Sequence, residues 1–250
     1  MNNDIALIVG TGLTQLQLAI VARSPAKTPY GLPSSPILTT VFGKHQILCI
    51  ARHGEAHSLA PHEVNYRANL WALGQHGVRR CVALNVVGAI AADFAPTDMA
   101  VPDQLIDYTW GRAGSFGGEA GKVVHADFTE PFDPVLRGRI ASAITACGYS
   151  VRRGVYGVMQ GPRLETAAEI QRLKRDGCAM VGMTAMPEAV LARELGMHYA
   201  ICALAVNYAA GREPGGAAIH ARMDEYLAAG MQRVREVLQR LVPDLCSSTV

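Results

Sequence analysis

Several polar residues stand where apolar runs of this chain end. Ile5–Val9 runs into Gly10-Thr11-Gly12, the run closing at Ala51 into Arg52-His53, and later runs into Asn85 and Met183-Thr184. The longest apolar run, Ala200 to Val206, ends in Asn207. Thr11, Arg52, His53 and Thr184 supply hydroxyl, guanidinium and imidazole donors, and Gly10 and Gly12 let backbone N–H groups come close to a ligand. A fixed cation among neutral donors is what an oxyanion such as phosphate needs. Each residue also has a plainer reading. Gly10-Thr11-Gly12 suits an ordinary strand-to-loop turn. Arg52 follows a buried-looking strand, and an arginine held there is paired with an anion or a carboxylate. Asn207 carries an amide that needs partners if buried, either as a structural hydrogen bonder or as a reader of ligand.

Two other chemistries fit less well. The glycines at 10 and 12 make a poor dinucleotide fingerprint, because Gln15 stands where the third glycine belongs and Tyr30–Pro33 offers no acid for a ribose. His53, His57 and His62 are spaced four and five apart, as on a helix face, but Gly54 and Pro61 break that face. His62-Glu63-Val64-Asn65 also lacks the second histidine of a zinc protease motif. These histidines are expected to be hydrogen-bonded or to face a substrate, with no metal. Met183 and Met186 are expected in the core, Met183 being close enough to Thr184 to touch a ligand.

Ligands of open α/β sheets bind beyond the carboxyl ends of strands, so the strands must hold these residues. Ile5–Val9, Cys81–Val87, Pro102–Thr109, Val155–Met159, Ala179–Met183 and Tyr199–Val206 read as strands. Ile37–Phe42 and His45–Ala51 read as a hairpin across Gly43-Lys44. Helical spacing covers Pro61 through His76, Pro134–Cys147 and Ala218–Leu241. Thr166 and Glu169 form a capping box for a helix to about Arg175, and Pro187 suits the first turn of the next. Five glycines between Gly111 and Gly121 predict a mobile loop, and the tail Cys246–Val250 is expected to fray. The expected fold is α/β: one domain over 1–250, with a mixed central sheet flanked by helices.

Of the 250 residues, 50% are hydrophobic and 18% charged, with a net charge of +2. That excludes a disordered chain and gives no basic surface for nucleic acid. The mean hydropathy of +0.14 predicts apolar surface hidden in an oligomer. No run is long enough to span a bilayer, and the start lacks the basic region of a signal peptide. Six scattered cysteines without a Cys-x-x-Cys pair read as core residues in a reducing compartment. A cytoplasmic protein is expected.

The same residues fall into a wider pattern. Gly-Thr-Gly-Leu at 10–13, Arg-His-Gly at 52–54 and Pro-His-Glu-Val-Asn-Tyr-Arg-Ala-Asn at 61–69 resemble the methylthioadenosine phosphorylase branch of the purine nucleoside phosphorylases. So do Pro-Asp-Gln-Leu-Ile-Asp at 102–107, Gly-Pro-Arg-Leu-Glu-Thr at 161–166 and Gly-Met-Thr-Ala-Met-Pro-Glu at 182–188. The resemblance runs from about residue 5 to 210. It implies a trimeric α/β enzyme, a pentosyltransferase that cleaves a nucleoside with inorganic phosphate as co-substrate and no other cofactor. It implies a phosphate site at Thr11, Arg52, His53, the Val86 backbone and Thr184. Ribose contacts are implied at Met183 and His57, base contacts at Asn207, Glu165 and Leu164, and His125 is implied to reach across the trimer interface.

Two departures bear on the substrate. Adenine-specific members carry Asp-Tyr-Asp after the last strand, where this chain has Asn207-Tyr208-Ala209. Asn there, with Glu165, is the pattern of enzymes for hypoxanthine and guanine nucleosides. An ionised Glu165 accepts from the N1–H of hypoxanthine, and the Asn207 amide pairs with O6 and N7. Adenine would set its N1 lone pair against the carboxylate. Met223 precedes Asp224-Glu225-Tyr226-Leu227-Ala228-Ala229-Gly230, where inosine enzymes place a histidine for the 5′-hydroxyl. A thioether suits an apolar 5′ substituent, so the expected substrate is methylthioinosine. The alternatives are methylthioadenosine with relaxed base choice, and inosine or guanosine. Further off stand a hydrolytic nucleosidase and a purine-binding oligomer without turnover.

Overall fold

A computed structural model describes residues 4–117, 124–213, 215 and 222–247. Its axis is β5 (Arg80–Ala89), a strand buried along nearly its whole length, as strands covered on both faces are. The first half of β5 pairs in parallel with β1 (Ile5–Val9), from Ile5 opposite Arg80 to Val9 opposite Leu84. Its other pairing, with β11 (His198–Tyr208), is also parallel and runs its full length, with a register shift between Ala205 and Asn207. Beyond β1 come β4 (His45–Ala51, parallel), β3 (Ile37–Phe42) and β2 (Ala19–Ser24), the last two pairings antiparallel.

At the far end of β5, Gly88 and Ala89 pair antiparallel with β10 (Cys178–Gly182). Next to β10 lie β9 (Val155–Val158) and β7 (Gln104–Asp107), all parallel to one another. The short β6 (Met99–Ala100) joins β11 to β8 (Val151–Arg152), completing one 11-stranded mixed sheet. Residues 85–87 therefore lie past the end of the β1 pairing and short of the β10 pairing. The carboxyl ends of β1 and β4 arrive at this gap from one side, and β10 runs back toward it from the other.

Alternation along β1 sends Ala6 and Ile8 into one core cluster and Ile5, Leu7 and Val9 into the other, the period-two rule of a strand. The first cluster is closed by α2 (Tyr66–Gln75) and α5 (Ala185–Glu194), through Leu70, Leu73, Ala189 and Leu191. The second is closed by α3 (Pro134–Ala146) and α6 (Met223–Ser247), through Ile140, Val234 and Leu238. α4 (Ala167–Arg175) packs Ile170 and Leu173 beside β10, behind the capping box that Thr166 and Glu169 form. The four-residue α1 (Leu13–Leu16) follows β1 directly.

Some expectations need correcting. The helix expected from Pro61 begins at Tyr66, because Asn65 caps it by accepting from the Ala68 N–H. β2 escaped the sequence reading because it is an edge strand with almost no buried residue. α6 does not stop at Leu241. It passes Pro243 and reaches Ser247, since Val242 and Leu245 are buried against the second core. Residues 218–221 of its expected start, and 248–250 of the expected fraying tail, lie outside the described residues. The segment expected to be mobile is anchored over its described part, 111–117. Phe116 packs against Tyr30 and Trp71, and the Phe116 N–H donates to Glu194 at 2.9 Å. Residues 118–121 lie outside the described residues. All six cysteines are free thiols, with Cys49, Cys81, Cys178 and Cys202 buried. Among the described residues, no helix is long and apolar enough to cross a membrane.

Candidate active site

The gap opens into a cavity of about 410 Å³. Its deepest fixed group is Arg52, which β4 delivers and whose N–H bonds the Val9 carbonyl at 2.8 Å. The guanidinium forks onto Glu188, Nε to Oε2 at 2.7 Å and Nη2 to Oε1 at 2.8 Å. Nη2 also donates to Asn85 Oδ1 at 2.9 Å, and Nη1 to the Leu84 carbonyl at 3.2 Å. A guanidinium has five N–H groups, so one on Nη1 remains for a ligand. Gly10 permits this placement, because a Cβ there would stand 2.6 Å from Nη1. Burial alone would lower the Arg52 pKa, but the charge and hydrogen bonds of Glu188, with Tyr199 and Tyr66 behind it, hold it raised. Glu188 is fully buried and also accepts from the Tyr199 hydroxyl at 2.8 Å.

Asn85 passes this order on. Its Oδ1 accepts from Arg52, so its Nδ2 is turned to donate to Thr184 Oγ1 at 3.2 Å and Tyr156 Oη at 3.4 Å. Thr184 stands at the N-terminus of α5 without capping it. With its oxygen accepting from Asn85, its O–H proton is available to the cavity. His53 Nδ1 lies 2.8 Å from the Leu59 carbonyl, and a carbonyl only accepts, so that nitrogen carries the proton. Burial and the neighbouring Arg52 guanidinium push the His53 pKa down to about 4, so the ring is neutral at ordinary pH. His57 holds a positive φ of 52°, uncommon outside glycine. It brings Nε2 to 2.9 Å from Thr11 Oγ1 and its ring to 4.8 Å from that of His53.

A second part of the lining carries Glu165 and Asn207. Glu165 is half-buried, and burial raises its carboxyl pKa. Its neighbour Arg163 is forked onto Glu169 instead, at 2.8 and 2.9 Å. Asn207 donates one N–H to the Tyr208 carbonyl at 2.7 Å, which leaves Oδ1 and the second N–H for a ligand. Gly88 makes room for it, since a Cβ there would come within 3.2 Å of Nδ2. The apolar remainder of the wall includes Met183, Leu164, Val206, Met223 and Leu227.

Of the residues singled out in the sequence, Thr11, Arg52, His53, His57, Val86, Leu164, Glu165, Met183, Thr184, Asn207 and Met223 all line this one cavity. His125 does not line it and is exposed. Two contributors, Leu227 and Glu188, were given no role by the sequence reading, and a third, Asn85, was marked by its position alone. Leu227 lies one helical turn beyond Met223, a spacing that points to it once the helix is accepted. Glu188 answers the demand of a buried Arg52 for a carboxylate, but nothing in the spacing says which acid serves. Asn85 is legible only as a strand end.

Comparison with known proteins places this geometry in context. Residues 4–243 match the Phosphorylase superfamily. A protein of Xanthomonas campestris pv. campestris named a probable S-methyl-5′-thioinosine phosphorylase is 53% identical over 215 residues, covering 84% of this chain and 86% of its own length. The 6-oxopurine nucleoside phosphorylase of Pyrococcus furiosus is 38% identical over 246 residues, covering 96% and 92%. Among solved structures, methylthioadenosine phosphorylase from Schistosoma mansoni in complex with adenine superposes with a TM-score of 0.91 at 29% identity, covering 98% of this chain and 93% of that one.

Proposed function

The chain belongs to the phosphorylase superfamily, and on that footing we propose that it cleaves S-methyl-5′-thioinosine with phosphate, giving hypoxanthine and 5-methylthioribose 1-phosphate. One observation carries this reading. Glu165 and the unspent half of the Asn207 amide share a cavity with the Arg52–Thr184 donors and with the apolar pair Met223 and Leu227. Hypoxanthine, phosphate and a methylthio group each find complementary chemistry there.

In this reading phosphate is held by the free Arg52 N–H, the hydroxyls of Thr11 and Thr184, and the backbone at Val86. A phosphate oxygen attacks C1′ of the ribose as the C1′–N9 bond breaks, and the bonding pair passes into the purine. The charge spreads over N7 and O6, where Asn207 bonds the base, while ionised Glu165 accepts from N1–H. The rate gain is positioning plus stabilisation of developing charge by donors already in place. Nucleoside and phosphate alone balance the reaction, because the proton that hydrogen phosphate gives up on becoming the sugar ester matches the one the purine anion takes up to leave as hypoxanthine. Met183 and His57 border the ribose, and Leu164 packs on the base. The reading also takes the enzyme to be a cytoplasmic homotrimer, in which His125 serves a neighbouring subunit. The exposed side chains of Trp110 and Leu32 supply apolar surface for such contacts.

The test is kcat/KM for methylthioinosine, methylthioadenosine and inosine, each with and without phosphate, alongside the solution mass of the assembly. Methylthioinosine is expected to lead, with phosphate required and a mass of three chains. A lead for methylthioadenosine would overturn the base assignment, and turnover without phosphate would overturn phosphorolysis.

A further inference from the structure

Arg112 lies outside the cavity, on the anchored segment 111–117, and is half-buried. Its Nη1 donates to the carbonyls of Met183 at 2.7 Å and Met186 at 2.6 Å. Its Nη2 donates to the carbonyl of Gln160 at 2.7 Å. These acceptors belong to two separate stretches of chain. Gln160 opens the loop that carries Leu164 and Glu165, and Met183 and Met186 flank Thr184. The stretches leave the sheet together, where the Met159 N–H bonds the Gly182 carbonyl at 2.8 Å. They touch again where a Cβ on Gly161 would collide with Met183 Sδ.

The arginine is itself held in place. The Trp110 N–H bonds Gln160 Oε1 at 3.2 Å, and the guanidinium lies 5.8 Å from the Tyr66 ring centre. Ser115 and Phe116 are tied to Glu194, near the end of α5. The segment is thus fastened to both ends of the helix that Thr184 opens.

We infer that Arg112 is a positioning residue. By bridging three carbonyls it fixes the Glu165 loop against the Met183–Thr184 turn, and so sets base-reading groups relative to phosphate donors. A cation donating to carbonyls forms charge-assisted bonds, and a planar fork can span acceptors that a single ammonium cannot. With the clamp gone, the loop that carries Glu165 is no longer held against the Met183–Thr184 turn, Glu165 is less firmly fixed at the base, and the penalty against a mismatched base falls.

This inference rests on the 6-oxopurine reading of Glu165 and Asn207, and its test separates the two. The kcat/KM values for methylthioinosine and methylthioadenosine, at saturating phosphate, are compared in wild type, Arg112→Met and Arg112→Lys. The ratio of the two is read because it does not depend on how much enzyme is folded. Misplacement of groups by about 1 Å from a remote change costs up to ~10²-fold in rate. The wild-type ratio is therefore expected to contract roughly tenfold in Arg112→Met, less in Arg112→Lys, and to recover when millimolar guanidinium is added to Arg112→Met. If Arg112→Met does not fold, the contraction in Arg112→Lys decides. A wild-type preference for methylthioadenosine would overturn the base reading, whereas a ratio equal to wild type in the variants that fold would overturn the role of Arg112.

Discussion

The two walls of the cavity are built on opposite plans. On the anion wall, Arg52 is 1% exposed and Glu188 fully buried, and with Asn85 and Tyr199 they are hydrogen-bonded to one another before any ligand arrives. On the base wall, Glu165 and Asn207 are half-buried, and Asn207 spends one N–H on the carbonyl of its own neighbour. The first arrangement is completed by folding and presents a fixed set of donors. The second keeps valences in reserve for a ligand. Substitution on the anion wall should therefore be felt first in stability, and on the base wall first in turnover and selectivity.

The largest effect is expected at Glu188. Removing one partner of a buried ion pair leaves the other charge uncompensated, at a cost of about 3–5 kcal/mol. Glu188→Ala should lose about that much in urea unfolding. A loss under ~1 kcal/mol would mean that the fork is not what holds Arg52. Asn207→Ala comes next and should show the reverse pattern. Losing one donor to developing charge costs about 10²–10³ in turnover, while the unfolding midpoint and the KM for phosphate stay near wild type. Near wild-type turnover would remove Asn207 from the chemistry. Asn207→Asp sharpens the contrast, because a carboxylate facing the exocyclic amino group should move preference toward methylthioadenosine.

The same contrast explains what the sequence could and could not reveal. Short continuous apolar runs give β1 and the β3–β4 hairpin, and the polar residue at each run's end gives Thr11, Arg52, Thr184 and Asn207. What stayed hidden depends on tertiary choice. Glu188 is one acid among 21 acidic residues, singled out only because α5 packs it beneath Arg52. β2 carries no alternation to read, since an edge strand buries neither face. Glycine density between 111 and 121 suggested looseness, yet Arg112, Ser115 and Phe116 find partners there that composition does not display. Conversely, the helix expected to end at Leu241 runs on past Pro243, because Val242 and Leu245 are buried.

Glu165 gives the next effect down. Burial raises its pKa, so protonation sets in at a higher pH than for an exposed glutamate. The protonated group no longer accepts from N1–H of hypoxanthine, but it can donate to N1 of adenine. As pH falls through that raised value, kcat/KM for methylthioinosine should drop and its lead over methylthioadenosine should narrow. Glu165→Gln should abolish this pH dependence and lower kcat/KM for methylthioinosine by roughly 10- to 100-fold, the worth of a hydrogen bond to a charged group. His53, titrating near 4, lies lower and should leave this limb unchanged. An unaltered acid limb in Glu165→Gln would assign it to another group.

The smallest effect belongs to Met223, and it extends the comparison to a pair one helical turn apart. Met223 is half-buried at the start of α6, whereas Leu227 is 7% exposed, and both line the cavity. An apolar contact with a single small substituent is worth about tenfold in discrimination. Met223→Ala should therefore cut kcat/KM for methylthioinosine about tenfold, leave inosine nearly unaffected, and barely move the melting temperature. Leu227→Ala should show a similar loss of preference together with about 2–5 kcal/mol of lost stability, because it also empties part of the second core. If Met223→Ala slows inosine and methylthioinosine equally, the thioether is not reading the 5′ substituent. The apolar end of the cavity would then rest on Leu227 and Val206, which belong to the fold's core as well as to the wall.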